Sequence, residues 1–195
     1  MRRPFMTRPD QLASLEGQQY LVLRPGGAVS EEYRSMQGPL VAALPPTVTH
    51  PHTEHATLRG FFEPERHDAV AAVIREWAAQ QHPIEIVAEA VDTFPAPWQI
   101  VIMRLARTPS LVHAYASLTE LLAATDLRRL DERPLEEWTF HLSVVYGKTL
   151  PADVWADLDG TVRRTLTPPL RTTVTEAELI TYTGGVEHAE VIPLG

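Results

Sequence analysis

Two short strings in this chain carry side chains that can do chemistry together. His55-Ala56-Thr57 and His141-Leu142-Ser143 each place an imidazole two residues before a hydroxyl. In an extended strand, side chains at i and i+2 project from the same face. Each string therefore presents one imidazole beside one hydroxyl. Two imidazoles in one cleft can divide acid and base work near neutral pH, because an ordinary histidine titrates at about 6.5. Two hydroxyls can donate to phosphate oxygens and leave the imidazoles free to move protons. One such string alone carries little weight, since a strand histidine with a satisfied hydrogen bond is commonplace. The second copy changes that.

The duplication extends past the two strings. Gly60, Pro64 and a helix with Trp77 follow the first, and Gly147, Pro151 and a helix with Trp155 follow the second. The histidines stand 86 residues apart, and the glycines and the prolines each 87. Upstream of each histidine lies a strand and then a helix, at 20–23 and 31–44 for the first and at 98–106 and 109–124 for the second. Shared order at a nearly constant offset predicts two similar lobes.

The remaining elements follow from apolar periodicity and turn chemistry. Tyr20-Leu21-Val22-Leu23 reads as a strand closed by Pro25-Gly26-Gly27, and Ser30 as the N-cap of the helix over 31–44. Glu54 to Phe62 is a strand, and Val70, Val73, Ile74 and Trp77 recur as one face of a helix over roughly 64–81. Ile84–Val91 and Trp98–Ala106 form a hairpin around Pro95 and Pro97, and Thr108-Pro109 opens another helix. Thr139–Tyr146 is a strand, Pro151 to about Leu166 a helix, Val174–Tyr182 a strand, and Val191 and Ile192 a short last one. Residues 1–17 read as an irregular lead-in, and 18–195 as a single two-lobed domain.

Composition narrows the function classes. At 195 residues with 44% apolar and 22% charged, the chain builds a packed core and is not disordered. A net charge of −8 argues against the broad basic surface that sequence-blind binding of nucleic acid requires, so no DNA partner is expected. A small anionic ligand held by a few local donors is compatible with that charge. The absence of cysteine removes disulfides, thiolate nucleophiles and Cys-type metal sites, and suits a reducing cytoplasm. No apolar run has signal-peptide or membrane-span length, so no membrane partner is expected and the location is read as cytoplasmic. The common nucleotide-loop and nucleophile-elbow motifs are missing as well.

His55-Ala56-Thr57-Leu58 and His141-Leu142-Ser143-Val144 resemble the paired H-x-[T/S]-hydrophobic signatures of the 2H phosphoesterase superfamily, which includes the 2′-5′ RNA ligase and cyclic phosphodiesterase families. The resemblance runs from about Tyr20 to Ile192. It implies an α+β fold of two pseudo-symmetric lobes, with antiparallel sheets lining a central cleft and helices packed outside. It further implies metal-independent, cofactor-free opening of a 2′,3′-cyclic or related cyclic phosphate on a nucleotide or RNA end, reversible as 2′-5′ ligation. By position, His55 and His141 become the acid/base pair, and Thr57 and Ser143 the hydroxyls that hold phosphate. Ser143 stands where threonine is commoner and keeps the donor. The partner is then a small phosphorylated substrate, and the chain is expected to act as a monomer. The alternative on the same fold is a module that binds a nucleotide or RNA end without turnover.

Several further residues have two readings. Arg59, at i+4 from His55, shares its strand face and either meets a phosphate or forms a structural ion pair. Tyr146 and Lys148 have the opposite parity to His141 and enter the cleft only if the chain bends near Gly147. Trp98, Phe94 and Tyr115 either stack a base or pack in the core. His50-Pro51-His52-Thr53-Glu54-His55 looks like a metal tract, but Pro51 and the want of a second ligand group at a defined spacing argue for loop residues.

Overall fold

The computed structural model describes residues 2–195. In chain order its elements are α1 (Pro9–Ser14), β1 (Gln18–Leu23), α2 (Gly27–Ala43), β2 (Ala56–Phe62), α3 (His67–Ala79), β3 (Ile84–Phe94) and β4 (Ile100–Leu105). There follow α4 (Pro109–Ala123), β5 (Arg129–Leu130), β6 (His141–Tyr146), α5 (Ala152–Val162), β7 (Arg164–Val174), β8 (Glu176–Thr183) and β9 (Val186–Pro193). The fold is α+β. All pairings are antiparallel, in one sheet ordered β7-β3-β4-β6-β2-β1-β8-β9, with β5 beside β2.

The repeat seen in the sequence is the organisation of this sheet. β1-α2-β2-α3 and β4-α4-β6-α5 are two copies of one strand–helix–strand–helix unit. They fuse where the two motif strands meet, through the single Cα pair Ala56 and Leu142. The antiparallel sheets of the two lobes are thus joined into one. Alternation along the strands divides the sheet into two faces. Leu21, Leu23, Leu58, Met103, Leu142 and Val144 join the helices in the main core, with Tyr33, Trp77, Tyr115 and Trp155 as their large partners. Val22, Ile180 and Tyr182 pack instead with Phe5 and Met6 in a second, smaller cluster. The motif residues stand on that second side.

Four elements depart from the sequence expectation. Residues 2–17 are not the irregular lead-in expected (Met1 lies outside the described residues): α1 forms on Pro9 at its first turn, and Phe5 and Met6 are buried on the sheet. α2 starts at Gly27 with Gly26 as N-cap, because Ser30 lies on its buried stripe with Val29, Tyr33 and Met36. The helix expected up to Leu166 stops at Val162, where β7 begins. β7 contains Pro168 and Pro169, a composition that disguises a strand. It tolerates them because it lies at the sheet edge and pairs only with β3. The Thr108-Pro109 start of α4 is as expected, with the Thr108 hydroxyl accepting from the Leu111 amide.

Candidate functional site

The local geometry of the site comes from two matching irregularities in strand register. Along β1 and β2, Leu23 faces Ala56 and Val22 faces Thr57, but Leu21 then faces Arg59, which leaves Leu58 without a partner. Along β4 and β6, Met103 faces Leu142 and Ile102 faces Ser143, but Val101 then faces Val145, which leaves Val144 over. Each is a β-bulge placed one residue after the motif hydroxyl. A bulge reverses the alternation beyond it. His55 and Thr57, like His141 and Ser143, share the cleft side, whereas Leu58 with Arg59 and Val144 with Val145 turn into the core.

This corrects the expectation for Arg59. Its side chain is 1% exposed, ion-paired to Glu132 at 3.1 Å, bonded to the Thr119 hydroxyl at 2.6 Å and stacked over Tyr115. It is a core ion pair on the α4 side and does not reach the cleft. The next residue to face the cleft in β2 is Gly60, where an added Cβ would stand 3.0 Å from the Tyr20 ring. Its counterpart in β6 is Tyr146. The bulge, and not a bend at Gly147, brings Tyr146 beside Thr57, His55 and Tyr20 around a cavity of about 160 Å³. Burial of Tyr146 raises its phenol pKa, and the nearby Ser143 side chain opposes that rise.

The two imidazoles are held alike. His55 Nδ1 donates to the carbonyl of Thr53 at 3.3 Å, and His141 Nδ1 donates to the carbonyl of Thr139 at 2.8 Å. A carbonyl can only accept, so each bond fixes the proton on Nδ1 and leaves Nε2 as the nitrogen open to change. Both rings are half-buried. Burial lowers the pKa of both, that of His55 to about 4, with the Arg24 charge and a proton on His141 lowering it further. Each ring also meets a phenylalanine. Phe5 tilts onto His55 at 4.3 Å between centroids, and Phe94 stands edge-on to His141 at 4.9 Å.

Phe5 belongs to a strap laid across the second face of the sheet. Arg2 pairs with Glu176 and Glu178, and the amides of Phe5 and Met6 donate to the Glu187 carboxylate at 2.8 and 2.9 Å. The Phe5 carbonyl accepts from the His52 amide. Arg24 lies over the Phe5 ring, grips Glu178 with two bonds of 2.8 and 2.9 Å and donates to the Thr53 hydroxyl. In the other unit Arg104 is the register partner of His141 and pairs with Glu89 and Asp92, each at 2.9 Å. Arg24 follows Leu23, the partner of Ala56, and so occupies the same position opposite His55. Neither arginine stood out in the sequence, because only strand pairing sets them across from the histidines.

The other candidates separate clearly. Tyr115 is a core residue, stacked on Trp138 with its hydroxyl on the Arg133 carbonyl. Trp98 and Lys148 are exposed and line a neighbouring groove. His50 and His52 meet edge to face, and among the described residues no three His, Asp or Glu side chains converge as metal ligands do. No helix among the described residues is long and apolar enough to cross a membrane.

The sequence model of the 2′-5′ RNA ligase superfamily matches residues 50–186, a span holding both motifs. No curated protein matches the chain. Among solved structures, Usb1 of Kluyveromyces marxianus is similar with a TM-score of 0.55 at 10% identity, over 93% of this chain and 100% of that one. A phosphoesterase is similar with a TM-score of 0.56 at 14% identity, over 92% and 96% of the two chains. LigT of E. coli, complexed with 3′-AMP, is similar with a TM-score of 0.51 at 16% identity, again over 92% and 96%. At these identities the likeness carries the fold. The superfamily match carries more, since it spans the paired histidine strands and most of the sheet around them: the chain belongs to the 2′-5′ RNA ligase superfamily, within the 2H phosphoesterases.

Proposed function

We propose that the chain is a metal-independent cyclic phosphodiesterase, opening a 2′,3′-cyclic phosphate on a nucleotide or RNA end by acid/base catalysis between two histidines. The observation that carries this reading is the matched pair of Nδ1–H bonds to the carbonyls of Thr53 and Thr139. A packing histidine needs no such duplicate, whereas two proton-transfer groups need a fixed tautomer and a free Nε2.

In the hydrolytic direction His55 is the base. Its low pKa, about 4, and the Arg24 charge beside it keep it neutral when the pair holds one proton. Its Nε2 takes a proton from water while the water oxygen bonds to phosphorus. The bond from phosphorus to one ribose oxygen breaks, and His141 gives its Nε2 proton to that oxygen. The Thr57 and Ser143 hydroxyls donate to the phosphate oxygens on which charge builds. A 5′-hydroxyl in place of water, deprotonated by the same base and bonding to phosphorus as the bond to the 3′ oxygen breaks and that oxygen takes the His141 proton, gives a 2′-5′ linkage. The negative charge of the bound cyclic phosphate raises the pKa of the acid histidine, which burial alone leaves low.

A panel of 2′,3′-cyclic nucleotides and oligonucleotides tests the reading. His55→Ala and His141→Ala should each lower turnover by about 10²–10⁴-fold, the scale for loss of a positioned acid or base. Circular dichroism should show both variants folded, since neither ring belongs to the main core. A folded variant with the wild-type rate sinks the mechanism. Wild-type binding without turnover on every member of the panel favours the non-catalytic end-binding module.

A further inference from the structure

Beyond Tyr146 the cleft does not end. A second and larger cavity, about 420 Å³, shares Tyr146 with the first and is lined by Trp98, Ile100, Lys148 and Thr49 among others. Tyr146 is common to both cavities, and Ile100 is its register partner on β4, so the groove continues the cleft side of the sheet. Its size suits a nucleoside, whereas the space of about 160 Å³ beside His55 suits only a phosphate and part of a ribose.

The groove is built before any ligand arrives. Three separate segments meet there and are tied through their backbones. The Tyr146 amide donates to the Thr49 carbonyl at 2.7 Å, and the Gly147 amide to the Gln99 carbonyl at 2.6 Å. The amides of Trp98 and Gln99 both donate to the Pro95 carbonyl at 3.1 Å. Gly147 is needed for this closeness, because a Cβ there would stand 3.0 Å from both the Gln99 carbonyl oxygen and the Trp155 ring. The β3–β4 turn is thereby clamped to the end of β6.

Two side chains in this rigid frame have no structural employment. Trp98 is 54% exposed, while Trp77 and Trp155 are at 1% and 8%. Lys148 is the one lysine in the chain, is exposed, and pairs with no carboxylate among the described residues. By contrast Arg24 and Arg104, the cations opposite the histidines, are each neutralised by carboxylates. In a chain of net charge −8, a preformed groove offering an indole face and an uncommitted ammonium beside a phosphate-chemistry cleft has a specific complement. That complement is a planar aromatic group joined to an anion.

We propose that this groove is the nucleotide subsite of the cleft, with Trp98 stacking the nucleobase of the terminal nucleotide and Lys148 meeting the phosphate on its 5′ side. The substrate class is then the phosphorylated 3′ end of an RNA, not a bare cyclic mononucleoside with a 5′-hydroxyl. This rests on the cyclic-phosphodiesterase reading for its chemistry, but the binding it requires is measurable without turnover. Tyr146 acts as the partition between the base on one side and the reacting phosphate on the other.

The test uses the full chain with Trp98→Ala, Trp98→Phe and Lys148→Met. The probes are an uncleavable 3′-phosphorylated dinucleotide for affinity and a dinucleotide ending in a 2′,3′-cyclic phosphate for turnover. Trp98→Ala should weaken dinucleotide binding by roughly 10- to 100-fold, the scale of one lost base stack, and Trp98→Phe should recover most of it. Lys148→Met should weaken the dinucleotide more than the 5′-hydroxyl mononucleotide and flatten the dependence of log K on log salt by about 0.7. The loss should fall on Kd and KM more than on kcat. An active enzyme in which Trp98→Ala and Lys148→Met both leave Kd and KM unchanged overturns the subsite and leaves the cyclic-phosphodiesterase reading standing. Binding that depends on Trp98 without any turnover overturns that reading and supports the subsite. A wild-type chain that neither binds nor turns over these probes overturns both.

Discussion

An imidazole whose Nδ1–H is already donated has only its Nε2 left to gain or lose a proton. His55 and His141 are both in that condition, each through the carbonyl two residues earlier. Burial lowers both pKa values, so the free protein at pH 7 carries two neutral rings. Catalysis needs one of the two protonated. The singly protonated pair exists only between the two macroscopic pKa values, one near 4 and the other below the ordinary 6.5. Activity therefore falls below the lower value, as the base is protonated, and falls above the higher one, as the acid loses its proton. The kcat/KM profile should be a bell with its maximum on the acid side of neutrality, between about 4 and 6.5. A steady-state profile with its maximum above pH 7.5, or flat across that range, contradicts the paired-histidine mechanism.

At the scale of elements, the two bulges and the strap decide which side chains reach the rings. Periodicity made the motif strands, their helices and the repeat legible, because each rests on local spacing. The bulges were not legible, since a bulge is a property of register between β2 and β1 or β6 and β4, not of one strand. Strict alternation therefore put Arg59 in the cleft and Tyr146 out of it, the reverse of both placements. The strap was hidden for a similar reason: Phe5 and Met6 gain their burial from β8 and the Glu187 carboxylate, far along the chain. Two variants follow from this layer. Arg59→Ala should cost roughly 3 kcal/mol in denaturant unfolding, through the cavity and the broken pair with Glu132, while the folded fraction keeps wild-type kcat/KM. A folded Arg59→Ala protein with intact stability and a raised KM would return this arginine to the cleft. Phe5→Ala admits water to His55 and should raise its pKa from about 4 toward 6.5, read as an upward shift in the midpoint of its imidazole titration followed by NMR. An unmoved midpoint would show that the strap does not shield the ring.

At the scale of the molecule, one sheet made of two fused copies sets both rings on the same side, and the charge around them sets how much ligand can follow. The net charge of −8 was plain from composition, but its distribution was not. The arginines opposite the histidines are held by Glu178 on one side and by Glu89 and Asp92 on the other, so they add little free positive charge to the cleft. Further basic side chains are likewise committed, as Arg66 is to Glu63 and Asp126 and Arg163 is to Asp159 and Asp92. Among the described residues, Lys148 is the one cation lining the groove, and it pairs with no carboxylate. Each phosphate contacted on a single strand contributes a slope of about −0.7 to log K against log salt. One contact at the histidines and one at Lys148 predict a slope between about −0.7 and −1.4 for any RNA, however long. Extending the RNA beyond a dinucleotide should then change neither the slope nor the affinity by more than about threefold. Titrations of a dinucleotide and a ten-nucleotide RNA at several salt concentrations measure both quantities. A slope of roughly −3 or steeper requires four or more phosphates in contact. That result would mean that the arginines now paired with carboxylates release them to bind RNA, and that this acidic protein grips a strand along its length instead of at its end.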